Sequence, residues 1–188
     1  MRLREDTRQL TGRVEIDDAY LGGERSGRKS GRGSENKVPF IAAVQTTDDG
    51  KPVVACFAQC PFTKQAIEKF AARSLVRPLT VVSDGLGCFT AAQGAGVHER
   101  VVTGGGKTSA KLPQFRAVST VLRNLKSALA GTYHAVKFTK YAHRYLAEVQ
   151  YRFNRRFDLR SILPRLVRVA AVTGPRNRGF IRGAEVGC

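Results

Sequence analysis

Seven aspartates occur in 188 residues, few enough to weigh one by one. Asp17 lies in the alternating stretch Arg13 to Tyr20, and Asp84 follows the apolar run Leu79 to Ser83. Each carboxylate comes directly after residues suited to the inside of a sheet, where desolvation disfavours a lone charge. A divalent cation is one partner that satisfies such a group. If the two strands are neighbours, Asp17 and Asp84 converge at the strand ends on Mg²⁺ or Mn²⁺. Two such ions ~3.5–4 Å apart serve the attacking and the leaving oxygen of a phosphodiester displacement. The competing reading makes Asp84-Gly85 a simple turn and Asp17-Asp18 a strand edge paired with arginine. Asp18 and Glu15 are weaker candidates; strand alternation puts Glu15 on the side of Asp17 and Asp18 on the opposite side. Asp48 and Asp49 belong to a turn.

The charge balance points the same way. Thirty-two Lys and Arg stand against fifteen Asp and Glu, a formal charge of +17. Arginine outnumbers lysine, 22 to 10, which favours flat, bidentate contacts to phosphate. From Lys111 to Arg182 there are sixteen basic residues and only Glu148 and Asp158 as acids. Nucleic acid is the leading partner of such a surface, because binding releases counterions. A basic RNA-associated structural protein has the same charge, and charge alone does not separate the two.

The elements that would position these groups are legible in outline. Arg13 to Tyr20, Val38 to Thr46 and Pro52 to Ala58 read as strands, the last two joined through Asp49-Gly50, a hairpin signal. Glu24 to Lys37 has no apolar residue and reads as a solvated loop. Thr63 caps a helix reaching Leu75 on which Ile67, Phe70 and Ala71 share a face. The run Leu79 to Ser83 fits a strand buried on both faces. A short helix over Leu86 to Ala92 and a weak strand over Glu99 to Val102 follow. Two amphipathic helices come next, with stripes Phe115, Val118, Leu122, Leu125, Leu129 and Phe138, Tyr141, Tyr145, Val149, Phe153. Ser161 to Val172 forms a last short helix before a basic tail. The expected class is α/β: a three-strand antiparallel meander, then alternating strands and helices in an RNase H-like mixed sheet, with extra C-terminal helices.

A third ligand is expected from the helix beginning near Phe115, but that helix contains no acid. Ser119 lies 35 positions after Asp84, and Lys126 lies two helical turns after Ser119 on nearly the same face. Lys126 is placed to contact a phosphate. Lys140, Arg144, Arg152, Arg155 and Arg156 decorate the following helix and are the further candidates for gripping DNA.

Five stretches taken together resemble one group of bacterial insertion-sequence transposases. They are Val14 to Gly23, Gly31 to Lys37, Ser83-Asp84-Gly85, Gly131-Thr132-Tyr133-His134 and Tyr151 to Arg156, in order over most of the chain. The resemblance implies an RNase H-like catalytic domain that cuts and transfers DNA strands with two Mg²⁺ or Mn²⁺ ions. It implies Asp17 and Asp84 as the first two members of the catalytic set and the metal ligands. The third member in that group is an asparagine or glutamate on the helix before Gly-Thr-Tyr-His, with a basic residue two turns later. Ser119 occupies the third place here and Lys126 the basic one. A serine hydroxyl is a short, neutral ligand, so the second ion would be held less well. The group normally carries a zinc ribbon and a helix-turn-helix ahead of the catalytic domain.

The organisation expected is a truncated N-terminal segment (1–12), a catalytic domain (13–159) and a basic, partly helical tail (160–188). The function expected is that of a transposase catalytic domain, truncated and catalytically weakened. The alternative is an inactive DNA-binding remnant. Its partner is double-stranded DNA, both element ends and target, engaged as a homo-oligomer. Four cysteines without a CxxC pair argue against a disulfide scaffold or zinc ribbon and for a reduced, intracellular compartment. The resemblance implies the bacterial cytoplasm, at the nucleoid. No apolar run approaches the ~18 residues of a membrane span. Gly104-Gly105-Gly106-Lys107-Thr108 lacks the P-loop spacing, which excludes a nucleotide site there.

Overall fold

The computed structural model describes residues 5, 7–22, 37–102, 112–133 and 137–182. The loop expected over Glu24 to Lys37 therefore lies almost wholly outside the described residues, as do the glycine run 104–106 and His134.

Five strands form one sheet: β1 (Leu10–Leu21), β2 (Val38–Thr46), β3 (Pro52–Gln59), β4 (Leu75–Ser83) and β5 (Val97–Arg100). Their spatial order is β3-β2-β1-β4-β5. β2 runs antiparallel to β1 and β3, whereas β4 runs parallel to β1 and β5 parallel to β4. Only β2 opposes the other four, which is the RNase H-like arrangement. The β2–β3 connection is the turn read from Asp49-Gly50: Gly50 takes φ 78°, and its N–H donates to the Thr47 carbonyl at 2.9 Å.

Helices cover both faces. α1 (Lys64–Ser74) opens at Thr63, whose Oγ1 accepts from the Ala66 N–H at 3.3 Å. With the 3₁₀ helix Gly87–Gly94 it covers one side, where Val14, Ile16, Ile41, Ala43 and Val81 meet Ile67, Phe70 and Phe89. On the other side Ala19, Phe40, Ala42, Val44 and Phe57 meet α2 (Arg116–Thr132) and α3 (Phe138–Phe153). β1 is thus central and covered on both faces, so Val14, Glu15 and Ile16 are all buried in succession. Full burial of each large aliphatic side chain contributes about 1.5–3 kcal/mol. The two satellite helices α4 (Ile162–Val172) and α5 (Arg178–Arg182) complete the described chain.

The structure adjusts several expectations. β5 is Val97–Arg100, two residues earlier than the weak strand read at Glu99 to Val102. α2 buries the whole expected stripe, with Ala117 and Val121 added. The stripe of α3 is rotated: Ala142, Leu146, Ala147, Val149, Gln150 and Tyr151 are the buried residues, while Tyr145, Phe138 and Phe153 pack at the margin. Tyr141 instead carries cations, with Lys140 Nζ 5.3 Å and the Arg144 guanidinium carbon 5.5 Å from its ring centroid. Aromatic residues outweigh alanine in the hydrophobic pattern, yet it is Ala142 that is fully buried in the core. The strand start is also earlier than Arg13. Leu10 is fully buried, and Glu5 is buried at 3% exposure against the far end of α3.

Candidate metal and nucleic-acid site

The site lies where β1 and β4 stop being neighbours. Their pairing ends at Ile16↔Ser83. Beyond that register Asp17 and Asp18 continue along β1 while the chain leaves β4 through Asp84. Carboxylate oxygens of Asp17, Asp18 and Asp84 all lie within 4.8 Å of one another. The structure thus brings together Asp17 and Asp84 and adds Asp18. Strand alternation assigned Asp18 to the opposite face. β1 itself runs on beside β2, but β4 has already ended, so both faces of β1 lead round the same open edge to Asp84 and the face argument loses its force. The doublet Asp17-Asp18 was the available signal.

Local structure fixes Asp84. Its Oδ1 accepts from the Leu86 N–H at 3.0 Å, closing a tight turn. Gly85 takes φ 85°, and a Cβ there would meet Arg100 Nε at 2.7 Å. Ser83 is fully buried, and its Oγ lies 2.8 Å from His98 Nε2 on β5. Ser83-Asp84-Gly85 is therefore a built corner: an anchored hydroxyl, a turn-forming carboxylate and a residue without a side chain.

Burial pushes the Asp17 carboxyl up to about 7, with the charges of Asp18 and Asp84 adding to the rise and Lys126 opposing it. Two neighbouring carboxylates make the ionised form expensive without a cation, the circumstance in which oxygen-ligand divalent sites form. The residues present fit a divalent ion by their donor chemistry.

A groove of about 950 Å³ opens beside this cluster. Asp17 and Asp18 line it from β1, Ser119, Arg123 and Lys126 from α2, and Lys37 from the approach to β2. Ser119 and Lys126 share the groove-facing side of α2, as their seven-residue spacing requires. Ser119 is half-buried and Lys126 exposed.

The remaining cations divide. Arg152 is exposed and paired with Glu148 at 3.1 Å, and Lys140 sits on Tyr141. Arg144 donates to the Ile181 carbonyl at 2.6 Å, tying α5 to α3. Arg155 is 9% exposed and bound to Glu5 at 2.5 Å. Arg156 donates to the carbonyls of Val53, at 3.1 Å, and of Pro52. Arg155 and Arg156 thus make contacts within the fold, Arg155 with a buried acid and Arg156 with the edge of β3. A cation count does not reveal an internal partner 150 residues away.

The family model of the ISXO2-like transposase domain matches residues 9–154. The chain belongs to that family. The matched span runs from the residue before β1 to the residue after α3, so this transposase domain comprises the whole sheet and both helices over the groove. No curated protein matches the chain. In this transposase domain no helix among the described residues is long and apolar enough to cross a membrane.

Proposed function

We propose that the chain is the catalytic part of an insertion-sequence transposase that cleaves and joins DNA strands with divalent-ion assistance. The observation that carries this reading is the meeting of Asp17, Asp18 and Asp84 within 4.8 Å where β1 and β4 part, beside a groove lined with basic residues. Asp17 and Asp84 would hold the ion, Mg²⁺ or Mn²⁺, with Asp18 near enough to share the charge. A bound ion neutralises the carboxylates and supplies Lewis-acid activation of phosphodiester displacement, two ions serving the two oxygens.

The chain's own groups perform the rest. Lys126 lies along the groove, near enough to Asp17 to lower its proton affinity, and it neutralises a phosphate beside the scissile bond. Lys140 and Arg152 extend the basic surface over double-stranded DNA. Ser119 offers a neutral hydroxyl at the third place, so a second ion is bound weakly and turnover is reduced. A DNA-binding remnant without turnover is the second reading, and Ser119 is the observation that favours it. Assembly as a homo-oligomer on DNA in the bacterial cytoplasm belongs to the same proposal.

The test is Mn²⁺ and Mg²⁺ calorimetry with a DNA-nicking assay on the natural chain, Asp84→Ala and Ser119→Asn. Binding and nicking in the natural chain, both lost in Asp84→Ala, support the enzyme. Activity in Ser119→Asn alone supports the remnant. No ion binding in any form rejects both metal readings.

A further inference from the structure

α2 begins without a cap of its own. Phe115 stands at its N-cap and makes no side-chain hydrogen bond there, and the first turn contains no acid. Free N–H groups at a helix start need acceptors, above all when buried. The acceptor comes from 103 residues earlier: the Val118 N–H donates to Glu15 Oε2 at 2.9 Å. The other oxygen, Oε1, is held by Arg13 Nη1 at 2.7 Å. The same guanidinium reaches the start of α2 through Nη2, which donates to the Gln114 carbonyl at 3.1 Å. Arg13 and Glu15 thus grip the helix entry on both sides of Phe115, one at a carbonyl of the preceding 3₁₀ turn (Pro113–Phe115) and one at an N–H of the first helical turn.

Glu15 is 1% exposed. Burying a carboxylate in mid-strand is costly, and apolar residues on both sides make the position better suited to valine. The cost is offset by the Arg13 pair, the Val118 N–H and the positive end of the helix dipole. Residues 13, 15 and 17 alternate along the same face of β1. The first two hold the start of α2, and the third is the carboxylate Asp17. Ser119 is the residue directly after Val118. The bond that fixes Val118 to β1 therefore fixes position 119 relative to Asp17.

We infer that Glu15 is a positioning residue: with Arg13 it locks the first turn of α2 onto β1, so that position 119 is held at the Asp17 end of the groove. This deepens the proposed reading, on which the role of position 119 rests. Glu15 is not among the carboxylates that converge, which are Asp17, Asp18 and Asp84, and each of its oxygens already accepts a hydrogen bond.

The test places an acid at position 119 and asks whether Glu15 makes it effective. On the full-length chain, Ser119→Asp adds a carboxylate ligand and raises Mn²⁺ affinity, and removing a residue that orients such a ligand costs ~10-fold or more. In Glu15→Ala combined with Ser119→Asp that gain disappears. In Glu15→Gln, which keeps an acceptor for Val118, it persists. Amide exchange by NMR reads the anchor directly: in Glu15→Ala the Val118 amide loses protection while Leu125 and Leu129 keep theirs. Survival of the affinity gain in Glu15→Ala overturns the inference, as does unchanged Val118 protection. If Glu15→Ala does not fold, Glu15→Gln decides, since loss of the gain with Val118 still protected overturns it. Absence of Mn²⁺ binding in every form rejects the metal reading instead and leaves Val118 exchange as the judge of the anchor.

Discussion

Asn154 pairs with both backbone groups of Ala55. Its Oδ1 accepts from the Ala55 N–H at 2.8 Å and its Nδ2 donates to the Ala55 carbonyl at 2.9 Å. Ala55 lies on β3, the edge of the sheet, so the amide acts as a substitute for the strand that is absent. One helical turn earlier Gln150 Oε1 accepts from the Phe57 N–H at 2.7 Å, and Arg156 takes the Val53 carbonyl. The end of α3 thus closes an open strand edge, which otherwise invites pairing with another chain. This gives the stretch Tyr151 to Arg156 a structural purpose.

Removing that clamp should be expensive. Asn154→Ala leaves a buried donor and acceptor unmet and frees one bond to Glu5, for a loss of about 2–3 kcal/mol. Urea unfolding measures it, and a loss under about 0.5 kcal/mol, half of one ordinary net hydrogen bond, would refute the clamp.

Arg155 and Glu5 make the companion prediction. Breaking a buried pair strands its partner, so Glu5→Gln or Arg155→Ala should each cost about 3–5 kcal/mol. Burial alone raises the Glu5 pKa, but the bonds from Arg155, Asn154 and Gln150 outweigh it and hold the carboxyl below its ordinary 4.5. This stabilisation is present above that value and fades as pH falls through the lowered one. In Glu5→Gln the acid limb of the stability profile should therefore flatten, by denaturation midpoints from pH 6 to 3.

Asp17 acts in the opposite direction. Its pKa stands near 7 in the fold against 3.8 for the free group. Between those values the native state holds a proton that the unfolded chain has released, so stability of the ion-free protein declines from about pH 4 through pH 7. Asp17→Asn should remove that decline and gain about 1–2 kcal/mol at pH 8 in chelator, a fraction of the full linkage because the group is part-solvated. Equal pH slopes in both forms would contradict the strained cluster.

Outward and inward cations should separate on DNA. Lys126→Ala, Lys140→Ala and Arg152→Ala each weaken duplex binding and lower the salt slope by about one. Arg156→Ala lowers stability and leaves the slope alone. An Arg156 effect on the slope equal to that of Lys126 would return it to the DNA surface.

Much of this was readable before any coordinates. Local signals carried the hairpin at Gly50, the cap at Thr63, the buried run before Asp84 and the pairing of Ser119 with Lys126 on one helix face. Each depends on neighbours within a few residues. What escaped depends on distant partners. Glu5 sits in a stretch without periodicity, and its partners lie at 150, 154 and 155. Arg155 and Arg156 differ from Arg152 only in what the fold places beside them. Asp18 escaped because alternation along β1 does not show that β4 has ended beside it, which leaves that edge of β1 open to Asp84.

The clamp on β3 also has a consequence in time. The groups that cover Phe57 and Ala55 lie 93 and 99 residues further along the chain. At a synthesis rate of about 5–20 residues per second, β3 waits roughly 5–20 s on the ribosome before its covering residues are even made. Throughout that interval a nascent chain presents a bare strand edge beside a half-built core. Every freshly translated copy therefore passes through an interval in which that edge is open to pairing with another chain until α3 arrives.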